Sequence, residues 1–158
     1  MAVELDELDA RIIELLLKDA RTPTAQIAEQ IGLSRPAVAD RVDKLERLGV
    51  IRGTTVVVDP TALGRGVTAF ISARAAKLPA PAWKKFRELM QREEILEVHT
   101  VAGDDCYLLK VRAASIGALN LLVQELTAAP LGLTTRTTIV MQTHSEKVGG
   151  IDLGSTES

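Results

Sequence analysis

Between Thr22 and Leu48 the chain reads TPTAQIAEQIGLSRPAVADRVDKLERL, and the residues able to do chemistry recur there at helical spacing. If Val38, Val42, Leu45 and Leu48 face inward, then Ser34, Arg35, Ala37, Asp40, Arg41, Lys44 and Arg47 share the outward side, with Pro36 in the first turn. Such a face suits duplex DNA. Its front is small and hydroxylated, matched to base edges and phosphates in a major groove, while Arg41, Lys44 and Arg47 can reach phosphates or a guanine edge. The same pattern also fits an αα-hairpin with a solvated charged surface, because Asp40, Asp43 and Glu46 interleave with the bases.

Two short helices and a tight turn must position these residues. Ile27, Ala28 and Ile31 form an apolar stripe, Gly32 breaks it, and the stripe resumes at Val38. Gly32 stands where the turn needs positive φ, and Ala28 lies four residues earlier, where a second helix must approach closely. Thr22 is expected to cap the first of these helices with Pro23 in its first turn. Ser34 is expected to cap the second, where Pro36 is harmless because first-turn amides lack intrahelical partners. A two-helix motif cannot bury its own stripe, so residues 5–19 are expected to supply a third helix. That helix would carry Leu5, Leu8, Ile12, Leu15 and Leu16 on one face and Asp6, Glu7 and Asp9 near the positive end of its dipole. Its acidic outer side reads as solvated surface.

At 158 residues and 46% hydrophobic content the chain is long enough for two small domains. No apolar run approaches the roughly 20 residues of a membrane span, and the acidic start MAVELDELDA is unlike a signal peptide. A cytoplasmic location with no membrane partner is the expectation. The single cysteine, Cys106, suits a reducing compartment and reads as a strand thiol rather than a redox sensor. With only His99 and His144 beside it, no metal cluster and no cofactor are expected.

A net charge of -2 and a pI near 5.7 argue against non-specific coating of nucleic acid. The basic footprint is local and thin: five bases against three acids between Ser34 and Arg52, whereas residues 1–19 hold six acids and two bases. One such unit would neutralise few phosphates. DNA binding is therefore expected from a dimer or larger assembly, with recognition helices in successive major grooves roughly 34 Å apart.

After Gly49 the β-branched run VIRGTTVVVDP reads as a strand that needs a partner, preferably a second copy of the chain. The expected divisions are a helix-turn-helix domain over 1–53, a linker strand over 54–65, an effector and oligomerisation domain over 66–145 and a mobile tail over 146–158. In the third of these, VTAFISARA (67–75) alternates as a strand. A helix follows Pro79 and Pro81, with Trp83, Phe86, Leu89 and Met90 on its core side. ILEVHTV (95–101) and CYLLKVRA (106–113) read as strands around the turn AGDD. A helix with Ile116, Leu119, Leu122, Val123 and Leu126 inward and a strand over 134–143 complete the order. Strand, helix, strand, strand, helix, strand is the ferredoxin-like βαββαβ arrangement, so the fold class is α+β. Its open sheet face would need covering, most simply by another subunit.

LDELDARIIELLLKDAR, IAEQIGLSRPAVADRVDKLERLGVI, VVVDPTALG, VAGDDCYLLKVRA and TRTTIV, in this order, resemble the Lrp/AsnC family of feast/famine transcriptional regulators. The resemblance runs from about residue 5 to 145. It implies a dimer whose paired winged-helix-like heads read a roughly palindromic operator, and C-terminal domains that assemble further, commonly into an octamer as a tetramer of dimers. It also implies a small effector, usually an amino acid, bound near the interface between dimers. The matching positions are Val101, Ala102, Gly103, Asp104 and Asp105 on the turn, with Thr135 and Thr137 on the last strand. The chemistry agrees, since backbone amides around Gly103 can hold a carboxylate and Asp104 or Asp105 an ammonium. GDD between strands also reads as a plain hairpin turn. The chain departs from the family at Asp105 and Cys106, where many members have an aromatic and then an acid, and at Pro23, where Ser or Thr is common.

No nucleophile elbow, phosphate-binding glycine loop or metal-ligand spacing points to an enzyme, and no catalytic residue is named. The alternative is a metabolite-sensing ferredoxin-like module whose N-terminal helices dock a protein rather than DNA.

Overall fold

The computed structural model describes residues 3–75 and 78–146. The chain divides after Val57 into a helical unit and an α+β unit that runs from Val58 to Ser145. Residues 147–158, most of the expected tail, lie outside the described residues.

In the helical unit, α1 spans Glu7–Lys18, α2 Thr24–Ile31 and α3 Arg35–Arg47. Ile12, Ile27, Ala28, Val38 and Leu45 form the buried centre, with Leu5, Leu16, Ile31 and Val42 packed at its edge. These are the apolar positions spaced three and four apart, brought together because none of the helices can bury its stripe alone. Gly32 ends α2 at φ 70°, a conformation that would strain any residue with a Cβ, and so turns the chain into α3.

Two local expectations are corrected. Thr22 does not cap α2: its hydroxyl turns back to donate to the Asp19 carbonyl at 2.7 Å, and Pro23 occupies the cap position with no side-chain hydrogen bond. Leu48 is exposed, because α3 ends at Arg47 and the stripe ends with it. The run expected to pair as a linker strand, preferably with a second copy, within 54–65, makes no ladder with any strand among the described residues of its own chain. Val56, Val57 and Val58 are left 75%, 72% and 51% exposed.

The α+β unit consists of β1 Val67–Arg74, α4 Ala80–Leu89, β2 Ile95–Thr100, β3 Tyr107–Ala113, α5 Ile116–Thr127 and β4 Thr134–Ile139. The strands are antiparallel in the order β2-β3-β1-β4, so the ferredoxin-like topology is present. Alternate residues Ala69, Ile71 and Ala73 of β1 and Leu109, Val111 and Ala113 of β3 are buried against Phe86 and Leu89 of α4 and Leu119, Leu122 and Leu126 of α5. The residues between them, among them Phe70, Ser72, Leu108 and Lys110, form the sheet's other face.

Here too the edges differ from expectation. Ile116 begins α5 and is 55% exposed rather than inward, and Trp83 stands at the rim, its ring centroid 5.8 Å from that of Phe86 and 6.3 Å from that of Tyr107. The last strand stops at Ile139 instead of 143, because β4 pairs only with β1 and Ala69, opposite Ile139, is near the start of β1. Phe86 is fully buried between α4 and the sheet. Phe86→Ala should cost about 4 kcal/mol, read as a lower urea midpoint at unchanged m-value.

Candidate nucleic-acid interface and effector turn

Ser34 holds an extended conformation before α3, and its Oγ accepts from the Ala37 amide at 3.3 Å. That contact fixes where the recognition helix begins. Arg35, Pro36, Asp40, Lys44 and Arg47 are exposed, while Ala37 and Arg41 are half-buried. Arg47 Nε donates to the Asp43 carbonyl at 3.3 Å.

Arg41 and Lys44, grouped on the outward side by their spacing, are both tied to α1, with Lys44 still exposed and Arg41 half-buried. Arg41 Nη1 donates to Asp9 Oδ1 at 2.6 Å and to Asp6 Oδ2 at 2.7 Å, and Lys44 Nζ donates to Asp9 Oδ2 at 3.0 Å. Asp9 has no exposed surface. The acidic side of α1, expected to be solvated, is therefore partly the clamp that holds α1 to α3. A carboxylate survives burial only when its charge and lone pairs are matched, and here each oxygen of Asp9 receives a cation. Burial pushes the Asp9 carboxyl up, but Lys44 and then Arg41 outweigh it and leave it below the usual aspartate range. Asp6 is also held down, chiefly by the Arg41 hydrogen bond and then by the Asp9 amide that donates to its Oδ1 at 2.7 Å. Asp6 thus caps α1 and pairs with α3 at once.

This network alters the charge count. The local excess of two positive charges between Ser34 and Arg52 is cancelled once Asp6 and Asp9 are added. The sequence did carry a signal: Asp9 precedes Ile12 by three residues and so falls on the apolar stripe of α1, where an unpaired acid would be costly.

In the α+β unit the turn between β2 and β3 is closed by Val101 N–H donating to the Cys106 carbonyl at 3.0 Å. Ala102, Gly103 and Asp104 are exposed between them, and Gly103 takes φ 128°. The Cys106 amide donates to the Ala73 carbonyl at 3.0 Å, and Ala73 pairs with Thr135. The turn and Thr135 therefore meet at one end of the sheet. Thr137 pairs with Ile71, further along β4, and is exposed. Sequence reasoning missed Arg136, whose Nη2 lies 3.1 Å from Asp105 Oδ2. Only strand pairing could reveal it, since the two residues are 31 apart in the chain. The Cys106 thiol lies half-buried, 3.5 Å from the Ala75 carbonyl. Among the described residues no three metal-type side chains cluster.

The family model for the AsnC-type helix-turn-helix domain matches residues 5–46, and that for the Lrp/AsnC ligand binding domain matches 68–149. The chain belongs to the Lrp/AsnC family. It is a DNA-binding transcriptional regulator with a small-molecule-binding C-terminal domain. The HTH-type transcriptional regulator FL11 of Pyrococcus abyssi is 37% identical over 148 residues, which are 92% of this chain and 95% of that protein. The leucine response regulatory protein LrpA of Mycobacterium tuberculosis is 31% identical, with a TM-score of 0.79 over 94% of this chain and 100% of that one. Escherichia coli AsnC is 29% identical, with a TM-score of 0.82 over 92% and 98%. Relatives of this Lrp/AsnC chain are regulators of transcription rather than enzymes. No helix among its described residues is long and apolar enough to cross a membrane.

Replacing both Arg41 and Lys44 by Ala should lower the stability of the helical unit by about 3 kcal/mol, because Asp9 would remain as an uncompensated buried charge. A two-wavelength thermal melt would detect this, and an unchanged melt would remove the clamp. Folded Asp6 and Asp9 titrate below their unfolded values, so their contribution is complete above about pH 4 and is lost as the pH falls further. The melting temperature of Asp9→Asn should therefore start lower and decline less steeply with acid than that of the parent.

Proposed function

We propose that the chain is an amino-acid-responsive, operator-binding regulator that works as a homo-oligomer, with dimers assembled further into an octamer. Ser34, Arg35, Pro36, Ala37, Asp40 and Arg47 approach the DNA groove, and Arg41 and Lys44 border it from the clamp with α1. The effector sits at Val101, Ala102, Gly103, Asp104 and Asp105, with Thr135 and Thr137 of β4 beside it. A free amino acid needs donors for its carboxylate and an acceptor for its ammonium.

The observation that carries this reading is the juxtaposition of Asp105 and Arg136 at 3.1 Å beside the exposed Gly103 turn. Opposite charges and unshielded backbone amides at one end of the sheet match a zwitterion. A similar protein named for its response to leucine supports an amino acid as the class. For assembly, the support is the exposed run Val56–Val58, which has the composition of a strand and no partner among the described residues. Pairing with the same run of a second copy would join two recognition helices. The effector then acts by population shift, changing operator affinity only as far as it binds two assemblies differently.

A thermal-shift screen of the common amino acids should give one or a few that raise the melting temperature by mass action. Gly103→Trp should abolish that rise while the protein still melts cooperatively, since the change loads an indole and an unfavourable φ onto the turn. A retained response in Gly103→Trp would take the turn out of the site. Gel shifts on the segment upstream of the protein's own coding sequence should weaken steeply with added salt.

A further inference from the structure

We propose that Asp6 sets the affinity of the recognition helix for DNA by occupying the position on Arg41 that a backbone phosphate would take. The proposal rests on the DNA-binding reading and adds to it a residue outside α2 and α3. Asp9, Arg41 and Lys44 alone would form a cluster with one surplus positive charge. The buried Asp9 already uses one hydrogen bond from each cation, so its own demand is met without Asp6. Asp6 then cancels the surplus from outside. Its side chain is 52% exposed, that of Arg41 26% exposed, and its Oδ2 is 2.7 Å from Arg41 Nη1.

A phosphate oxygen approaching the flank of α3 brings the same chemistry as Asp6 Oδ2, an anionic acceptor for a guanidinium N–H. Asp6 competes with it directly, and also repels it within a screening length of about 10 Å. Asp9 cannot be displaced in this way, because it is enclosed and held by two partners. The division of labour follows: Asp9 orients the Arg41 guanidinium, and Asp6 is the exchangeable ligand on it. Such a brake suits a regulator whose overall charge is -2 and whose local basic excess is small. Tight binding would then require several copies to engage together.

The second role of Asp6, capping α1, can be separated from its charge. Asn and Ser cap helices about as well as Asp and are neutral. Full-length protein and its Asp6→Asn and Asp6→Ser variants should be titrated with a fluorescein-labelled duplex of random sequence at a series of KCl concentrations. Both variants should bind about five-fold tighter at low salt. The slope of log affinity against log salt should steepen by about one for each subunit engaged. Asp6→Glu, which keeps the charge, should not tighten binding.

A structural residue gives the opposite sign. If the neutral variants bind equally or more weakly, with an unchanged or shallower slope, or melt earlier and lose affinity, Asp6 is only part of the fold and the proposal fails. If the parent protein binds the duplex while the variants match it, the DNA-binding reading stands and only the brake is lost. If the parent binds no duplex even at low salt, both fall.

Discussion

One buried carboxylate governs the helical half of this protein. Asp9 has no exposed surface, yet it remains ionised because Arg41 and Lys44 each donate to one of its oxygens. The contact joins the first turn of α1 to the middle of α3, and so complements the apolar packing of Ile12, Val38 and Leu45, which by itself has no direction. Apolar burial holds the three helices together, and the charged contact fixes which side of α3 faces α1. The remaining side, from Ser34 to Arg47, is left largely exposed.

The same contact makes the exposed side of α3 electrostatically lean. Two of the bases on the recognition helix are matched within the protein, so Arg35, Arg47 and the helix start carry most of what remains. A single head with so few free cations grips duplex DNA weakly, because affinity depends on the number of phosphates neutralised. Assembly multiplies weak contacts, and an effector that biases the assembly can alter operator occupancy without touching the DNA-binding residues.

In the α+β unit the corresponding constraint is the sheet order β2-β3-β1-β4. With β1 and β3 in the centre, their buried alternate residues pack under both helices. Pairing of β1 with β4 places Thr135 opposite Ala73, which accepts from Cys106 after the Val101–Asp105 turn. Arg136 comes beside Asp105 for the same reason. The turn is short and glycine-bearing, and it leaves backbone amides at the surface.

Periodicity in the sequence was enough for the three helices around Gly32, the alternation of β1 and β3 and the βαββαβ order, because each depends on residues within a few positions of one another. Family resemblance, written in the same local motifs, drew attention to the turn at Val101–Asp105. What local pattern could not decide was every contact between distant residues. Leu48 and Ile116 fit their stripes but stand exposed, since a stripe ends where its helix does. The run at Val56–Val58 has strand composition but no strand, since a ladder needs a second chain segment. The burial of Asp9, the withdrawal of Arg41 and Lys44 toward α1 and the meeting of Arg136 with Asp105 were decided by tertiary structure alone. A charge's partner is set by distance in space, and these pairs lie more than thirty residues apart in the chain.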